Sequence, residues 1–341
     1  MTAIHYEFDD RPAEGDTMPV TDDIVWLRMP LPFSLAHINL WLLRDNAGWV
    51  VVDTGVDTKK SRGVWQHTFA TAMRGDPANH VVATHLHPDH VGCAGWLVEH
   101  FGLDLWMTRD EYMLCRILIA DTGRSAPEEG VRFYASAGFS AADIASYKSR
   151  FGLFGKFVHD LPEAYKRMSD GDVLAFGESR WEVLVGNGHS PEHACLYDAE
   201  QNIFIAGDQL LPAISSNISV WPTEPLANPL KDWFDSLSKL RERLPEDVLV
   251  LPAHGKPFRG AHARLQQLRR DHEERLSCLL DTCTEPMRVV DLFSSLYKTT
   301  IDDGNRIMAT GEAIAHLNYL CDKGDMLAET GADRVTLYCR A

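Results

Sequence analysis

The chain lacks several features that would each narrow its class. Its seven cysteines are scattered at Cys93, Cys115, Cys195, Cys278, Cys283, Cys321 and Cys339, with no CxxC pair. An odd, unclustered set fits reduced thiols and argues against a disulfide framework. No apolar run approaches the roughly 18 residues needed to span a bilayer, so no membrane association is expected. The acidic first segment, MTAIHYEFDDRPAEGD, has no apolar core and shows no secretory signal, which gives the expectation of a cytoplasmic protein. Positive charge is scarce: 33 basic residues stand against 49 acidic ones, for a net charge of −16. Non-specific nucleic-acid binding depends on Lys and Arg neutralising phosphates, so no nucleic-acid partner is expected. Internal repeats and low-complexity segments are absent as well.

What is present is an ordinary globular composition in 341 residues, 45% hydrophobic and 24% charged, enough for about two domains and a large core. Residues 35 to 55 read as a β-hairpin, HINLWLL and GWVVVDTG around the turn RDNAG. A helix-compatible stretch runs from Asp57 to about Arg74. The strand HVVATH follows, then the helix VGCAGWLVEHFG closed by Gly102, then the strand LDLWMT. Residues 109 to 170 lack strand alternation and read as glycine-broken helices rich in Phe, Tyr and Met. They form either a packing layer or a lid over an apolar substrate group. Strands resume at VLAFG, WEVLVGNGH and ACLYDAEQNIFIAGD. KDWFDSLSKLRERLPED is an amphipathic helix, and VLVLPAHG is one more buried strand. From about residue 262 the pattern gives three helices and a terminal hairpin, a small winged-helix-like unit. Its candidate recognition helix, GEAIAHLNYLCDKG, offers little beyond Lys323 and carries Glu312. A DNA reader should present Arg, Lys, Asn or Gln to base edges, so the unit reads as a packing or homodimerisation element.

Five apolar strands end in a metal-competent residue: VVVD at Asp53, VVATHLH at His85 and His87, VLVGNGH at His189, IFIAGD at Asp208 and VLVLPAH at His254. Open sheets place ligands beyond the carboxyl ends of their strands, so strands that share sheets bring these ends together. His85 and His87 stand two apart on an extended segment and face one side. Pro88 breaks the strand, and Asp89 and His90 open the next helix, turned toward a neighbouring position. The tract therefore offers two groups of ligands. Imidazoles and carboxylates without thiolate suit zinc best, with iron or manganese as alternatives. Two ions sharing a carboxylate would sit about 3.5–4 Å apart.

With these residues the sequence resembles the metallo-β-lactamase superfamily: His85, His87, Asp89 and His90 match its HxHxDH motif, followed by Gly92. His189 matches the third histidine, Asp208 the bridging aspartate and His254 the last ligand. The resemblance covers roughly residues 20 to 260. It implies an αββα sandwich of the α/β class in a catalytic domain over 1–261, with the 109–170 insertion, followed by the winged-helix-like unit over 262–341. It implies one zinc on His85, His87 and His189, a second on Asp89, His90 and His254, and Asp208 between them. Asp89 and Asp208 become the catalytic carboxylates. Asp53 and His193 become supports of the ligands. A shared water, its pKa lowered to about 7, attacks a carbonyl or phosphoryl centre. The segment GHSPEH resembles the GHTPGH of the glyoxalase II-like branch, with Glu192 where that branch has glycine. The expected substrate is a thioester of acyl-CoA or acyl-glutathione type, a small molecule. A lactone or carboxylic-ester hydrolase is the alternative, ahead of a β-lactamase, a nuclease or an iron-dependent dioxygenase. Lys256 and Arg259, beside Arg264, Arg269 and Arg270, are candidate contacts for substrate.

Overall fold

The computed structural model describes residues 3–33 and 35–341. Strands β1 (His5–Tyr6) and β2 (Thr17–Pro19) precede β3 (Ile24–Pro30), β4 (His37–Asp45) and β5 (Gly48–Val52). Helix α1 (Lys59–Ala70), β6 (Ala78–Val82), α2 (Pro88–Val91), α3 (Ala94–Phe101) and β7 (Asp104–Met107) follow. The insertion holds α4 (Arg109–Ala120), α5 (Glu128–Ser136), α6 (Ala141–Arg150) and a short strand β8 (Lys166–Arg167). Then come β9 (Val173–Phe176), β10 (Ser179–Gly186), β11 (His193–Asp198), β12 (Ile203–Gly207), α7 (Pro229–Arg243), β13 (Leu249–Pro252) and β14 (Phe258–Arg259). The chain ends with α8 (Ala261–Thr282), α9 (Phe293–Leu296), α10 (Arg306–Asp322), β15 (Met326–Thr330) and β16 (Thr336–Arg340).

Two seven-stranded sheets result, one in the order β2-β3-β4-β5-β6-β7-β8 and the other β1-β14-β13-β12-β11-β10-β9. Strand periodicity explains how they stack. In β5, Trp49 and Val51 join the core under α1 and α3, while Val50 and Val52 join the core between the sheets. In β13, Leu249 and Leu251 face the other sheet and Val250 faces the outer helices. Alternation is hidden in the sequence because both faces are buried and both are apolar. Helices cover each outer face, which makes the fold the expected αββα sandwich.

The strand over Ile24–Pro30 was not anticipated, since Arg28 interrupts its apolar run. The short pieces β1, β2, β8 and β14 also lie below what periodicity detects. Leu265, Leu268, Leu276 and Leu279 of α8 belong to one continuous core with α7, the second sheet, α9 and α10, so this helix joins the C-terminal unit to the sandwich. Residues Ala309, Ala313, Ile314, Ala315, Leu317 and Leu320 of α10 are buried, so this helix spends its surface on its own chain. Tyr134, Phe139 and Tyr147 of the insertion form a small core of their own, against Val290 and Ile307. Those aromatics pack the insertion against the C-terminal unit. Among the described residues no helix is long and apolar enough to cross a membrane.

Candidate metal centre

The site lies where strands of both sheets end. Strands β5 and β6 pair in parallel in the first sheet, and β12 and β13 pair in parallel in the second. Antiparallel steps through β11 make β10 run in the same direction as β12. Residues after β6, β10, β12 and β13 meet in two groups whose ligand atoms lie within 4.8 Å of one another. One is His85, His87, His189 and Asp208; the other is Asp89, His90 and His254.

Hydrogen bonds fix what each ring can offer. A carbonyl only accepts, so His189 Nδ1 donates to Asn217 O at 2.8 Å and His254 Nδ1 donates to His37 O at 3.0 Å. His90 Nδ1 lies 2.7 Å from Asp53 Oδ2. The Nε2 atoms of all three rings, with Asp208 Oδ1, are buried and have no hydrogen-bond partner. Such atoms are costly to bury unless something positive receives them. Their spacing fits a cation. His189 Nε2 is 3.4 Å and His90 Nε2 3.5 Å from Asp208 Oδ2, while His254 Nε2 is 3.5 Å from Asp208 Oδ1 and 3.4 Å from Asp89 Oδ2. Ligands bound at 2.0–2.1 Å in a tetrahedron stand about 3.4 Å apart, too far for a hydrogen bond and right for a shared ion. Asp208 thus stands between the two groups, its Oδ2 near His189 of the first and His90 of the second and its Oδ1 near His254 of the second. These residues fit a pair of metal ions.

Electrostatics agree. Burial, then neighbouring imidazoles, depress His85 well below its ordinary value, and His87 falls to about 3. Both rings are neutral, the state a metal needs. Burial would lower His90 too, but Asp53, Asp208 and Asp89 outweigh it and raise it well above the ordinary range. The carboxylates demand positive charge at that point. Asp208, despite burial, is held well below the usual carboxylate range by His90 and His254.

The supports come next. Asp53, at a left-handed φ of 61°, accepts from Thr84 N at 2.8 Å and Thr84 Oγ1 at 2.9 Å besides facing His90. His193 is buried and its Nε2 accepts the Asp208 N–H at 3.0 Å. Glu111 of α4 was not anticipated. Its buried carboxylate accepts from Leu86 N at 2.9 Å, Ser190 Oγ at 2.6 Å and Glu192 N at 2.8 Å. It therefore joins the loop of His85 and His87 to the loop of His189. A glutamate in the first turn of a helix reads as a dipole partner. The signal available was its position one turn before Cys115 on the buried face of α4.

The residues expected as basic contacts have partners within the chain. Arg259 pairs with Glu7 at 2.8 Å and also donates to Asp247 O at 2.5 Å. Asp247 precedes β13 and His254 follows it, a separation of roughly 20 Å along extended chain. Lys256 Nζ donates to Asp9 O at 3.1 Å and lies over the Tyr6 ring. Arg264 is buried and donates to Leu211 O and Ile214 O. The N-terminal segment and the backbone have absorbed these charges. Cys93 is fully buried, and burial pushes its thiol up, as expected of a packing residue.

The family model "Metallo-beta-lactamase superfamily" matches residues 35–254, and "Metallo-beta-lactamase-like, C-terminal domain" matches residues 276–341. The chain belongs to the metallo-beta-lactamase superfamily. It is similar over 312 residues, at 24% identity, to the probable metallo-hydrolase YqjP of Bacillus subtilis (strain 168), covering 88% of this chain and 92% of that one. It is 26% identical over 245 residues to the acyl-coenzyme A thioesterase MBLAC2 of Homo sapiens, covering 70% and 80%. The crystal structure of a beta-lactamase domain protein from Burkholderia ambifaria superposes with a TM-score of 0.91 at 39% identity, over 99% of this chain and 98% of that one. This protein is a metal-dependent hydrolase of the superfamily.

Proposed function

We propose that the protein is a dinuclear zinc hydrolase of thioesters, of acyl-CoA or acyl-glutathione type. The observation that carries the dinuclear reading is Asp208, whose carboxylate lies 3.4–3.5 Å from ligand nitrogens of both groups, His189 of one and His90 and His254 of the other. The thioester reading is supported by the similarity to an acyl-coenzyme A thioesterase over 245 residues. In this assignment His85, His87 and His189 would hold one ion, Asp89, His90 and His254 the other, and Asp208 would serve both.

When bound, the ions would supply Lewis acidity, making a water nucleophilic and polarising the thioester carbonyl. The chain's own residues do the rest. Asp89 is the more exposed of the two catalytic carboxylates, with 18% of its side chain open against 11% for Asp208. It orients the water and takes its proton, then returns it to the leaving sulfur as the C–S bond breaks. Asp53 and Glu111 keep the ligand loops in place, and His193 holds the backbone of Asp208. We place the boundary between catalytic domain and C-terminal unit at the start of α8, near residue 261.

Purified protein should be assayed with zinc and after chelation against acyl-CoAs, acyl-glutathione, lactones, a β-lactam and a phosphodiester. Thioester cleavage that disappears on chelation and in Asp208→Ala is the expected result. Preferred turnover of a lactone or ester would replace the substrate assignment, and full activity in Asp208→Ala would refute the bridging role. Metal analysis of protein prepared without added zinc separates zinc from iron or manganese.

A further inference from the structure

A cavity of about 410 Å³ opens beside the second ligand group, and His254 and Gly255 form part of its wall. That size is within the range of small-molecule sites. Arg11 and Arg28 project into it, with His37 and Ile214 also lining it. Two arginines side by side are unexpected in a chain of net charge −16.

Neither has found a carboxylate. No ion pair among the described residues involves Arg11 or Arg28. The nearby Glu14 is already paired with Lys60. Arg28 Nη2 reaches only His37 Nδ1, at 3.4 Å, and its Nε is buried without any partner. Burial first, then the charge of Arg11, lower the pKa of Arg28, against a smaller opposing effect of Glu14. Arg28 as a whole is half-buried and Arg11 exposed, but a buried N–H such as Arg28 Nε is costly to leave without an acceptor. The guanidinium stands one residue away from the metal centre, since His37 contacts Arg28 through its ring and His254 through its carbonyl.

We infer that Arg11 and Arg28 form an anion subsite that grips an oxyanion group of the substrate, carboxylate or phosphate, next to the reacting bond. Planar guanidinium forks match both groups, and the buried, unpartnered Nε of Arg28 offers a donor ready for an anion. Because only His37 intervenes, the anion must belong to a compact part of the substrate close to the scissile carbonyl. A thioester of a dicarboxylic acid, or one whose thiol carries a nearby carboxylate, meets this condition. The rim is apolar, with Leu35 and Ile214 both exposed, and would accept the carbon chain between anion and carbonyl.

This inference deepens the thioesterase reading and rests on it for the reacting bond, so the test has two arms. In the first, kcat/KM is compared for succinyl-CoA and butyryl-CoA, and for lactoylglutathione and the matching N-acetylcysteamine thioester. The comparison uses the parent, Arg28→Gln, Arg28→Lys, Arg11→Gln and the surface control Arg241→Gln. Losing one charged hydrogen-bonding group should lower the anionic-to-neutral ratio roughly 10- to 100-fold in Arg28→Gln. Arg28→Lys should recover part of it and Arg241→Gln should leave it unchanged. A ratio unaltered by both Arg28→Gln and Arg11→Gln, or an equal fall for neutral and anionic substrates, overturns the subsite. In the second arm, binding of succinate and of inorganic phosphate to metal-loaded protein is measured by calorimetry. Saturable binding lost in Arg28→Gln upholds the subsite even if no thioester is cleaved, and which anion binds more tightly identifies its source. No saturable binding of either anion by the parent overturns it.

Discussion

Glu111 offers the sharpest check on how the centre is held. Its carboxylate is fully buried and accepts three hydrogen bonds, two from backbone N–H groups of the ligand loops. Glu111→Ala strands both N–H groups, at about 1–3 kcal/mol each. The Ser190 hydroxyl can rotate to another partner and adds little. Against this stands the burden of the charge itself. Burial, opposed by the bonds from Ser190, Glu192 and Leu86, raises the pKa of Glu111 from 4.5 to about 6. At pH 7 that shift makes the ionised form cost about 2 kcal/mol. The net loss for Glu111→Ala is therefore about 0–4 kcal/mol. Glu111→Gln keeps the shape, sheds the charge and loses one acceptor, so its stability should change by only about 1 kcal/mol. Metal affinity should respond more strongly in both, because the two loops are no longer fixed together, and a loss of about 10–100-fold is expected. Urea unfolding of the metal-free protein and zinc competition against a chelator separate the two effects. The pH dependence adds a signature. The folded state binds the Glu111 proton more tightly than the unfolded chain, so this group's destabilising effect is absent below 4.5 and complete above 6. The difference between parent and Glu111→Gln should change by about 2 kcal/mol across that window. Unchanged zinc affinity in both variants would refute the linking role.

Asp53→Asn removes the charge facing His90 Nδ1, and the bound-metal count should fall from two per chain toward one at limiting zinc, read by elemental analysis. Gly92→Ala should not fold normally. Its Cβ would stand 2.7 Å from Val56 Cα and closer still to the carbonyls of Pro88 and Gly55, all backbone that cannot yield; a near-parental urea midpoint would contradict this. Burial keeps His316 neutral down to about 4 and His272 down to about 2, the pair being 3.1 Å apart. The unfolded chain takes up these protons from about pH 6.5 downward, so stability should be full above 6.5 and decline as pH falls toward 4. His316→Leu should flatten that decline in thermal or urea titrations.

Much of this architecture was legible because strand ends and chemistry coincide. Apolar strands that stop at Asp53, His85, His189, Asp208 and His254 announce both the sandwich and its polar corner. What escaped depends on contacts far apart in sequence. Arg28 hid β3 by breaking its apolar run, and nothing local shows that Arg28 finds no acid while Arg259 finds Glu7. Glu111 acts through residues 25 to 81 positions away. Asn39 was a missed signal of another kind. An amide inside HINLWLL is a polar group in a buried strand, and such a group must have partners. It accepts from Trp26 Nε1 and donates to Pro252 O and Gly255 O, each at 2.8 Å.

Asn39 also decides how the two halves of the molecule can move. Its backbone N–H reaches Ala253 O at 2.7 Å, and the His37–His254 bond lies beside it. Between the sheets the core is apolar and non-directional; at this corner the contacts are directional and several are tied to backbone, whereas Asp45 Oδ1 accepts a bond from Gly177 N away from it. The sandwich is thus pinned most densely along the ligand residues. The amides of Asn39 and Ala253, both bonded to backbone carbonyls in this pinned corner, should therefore be among the last to exchange with solvent deuterium.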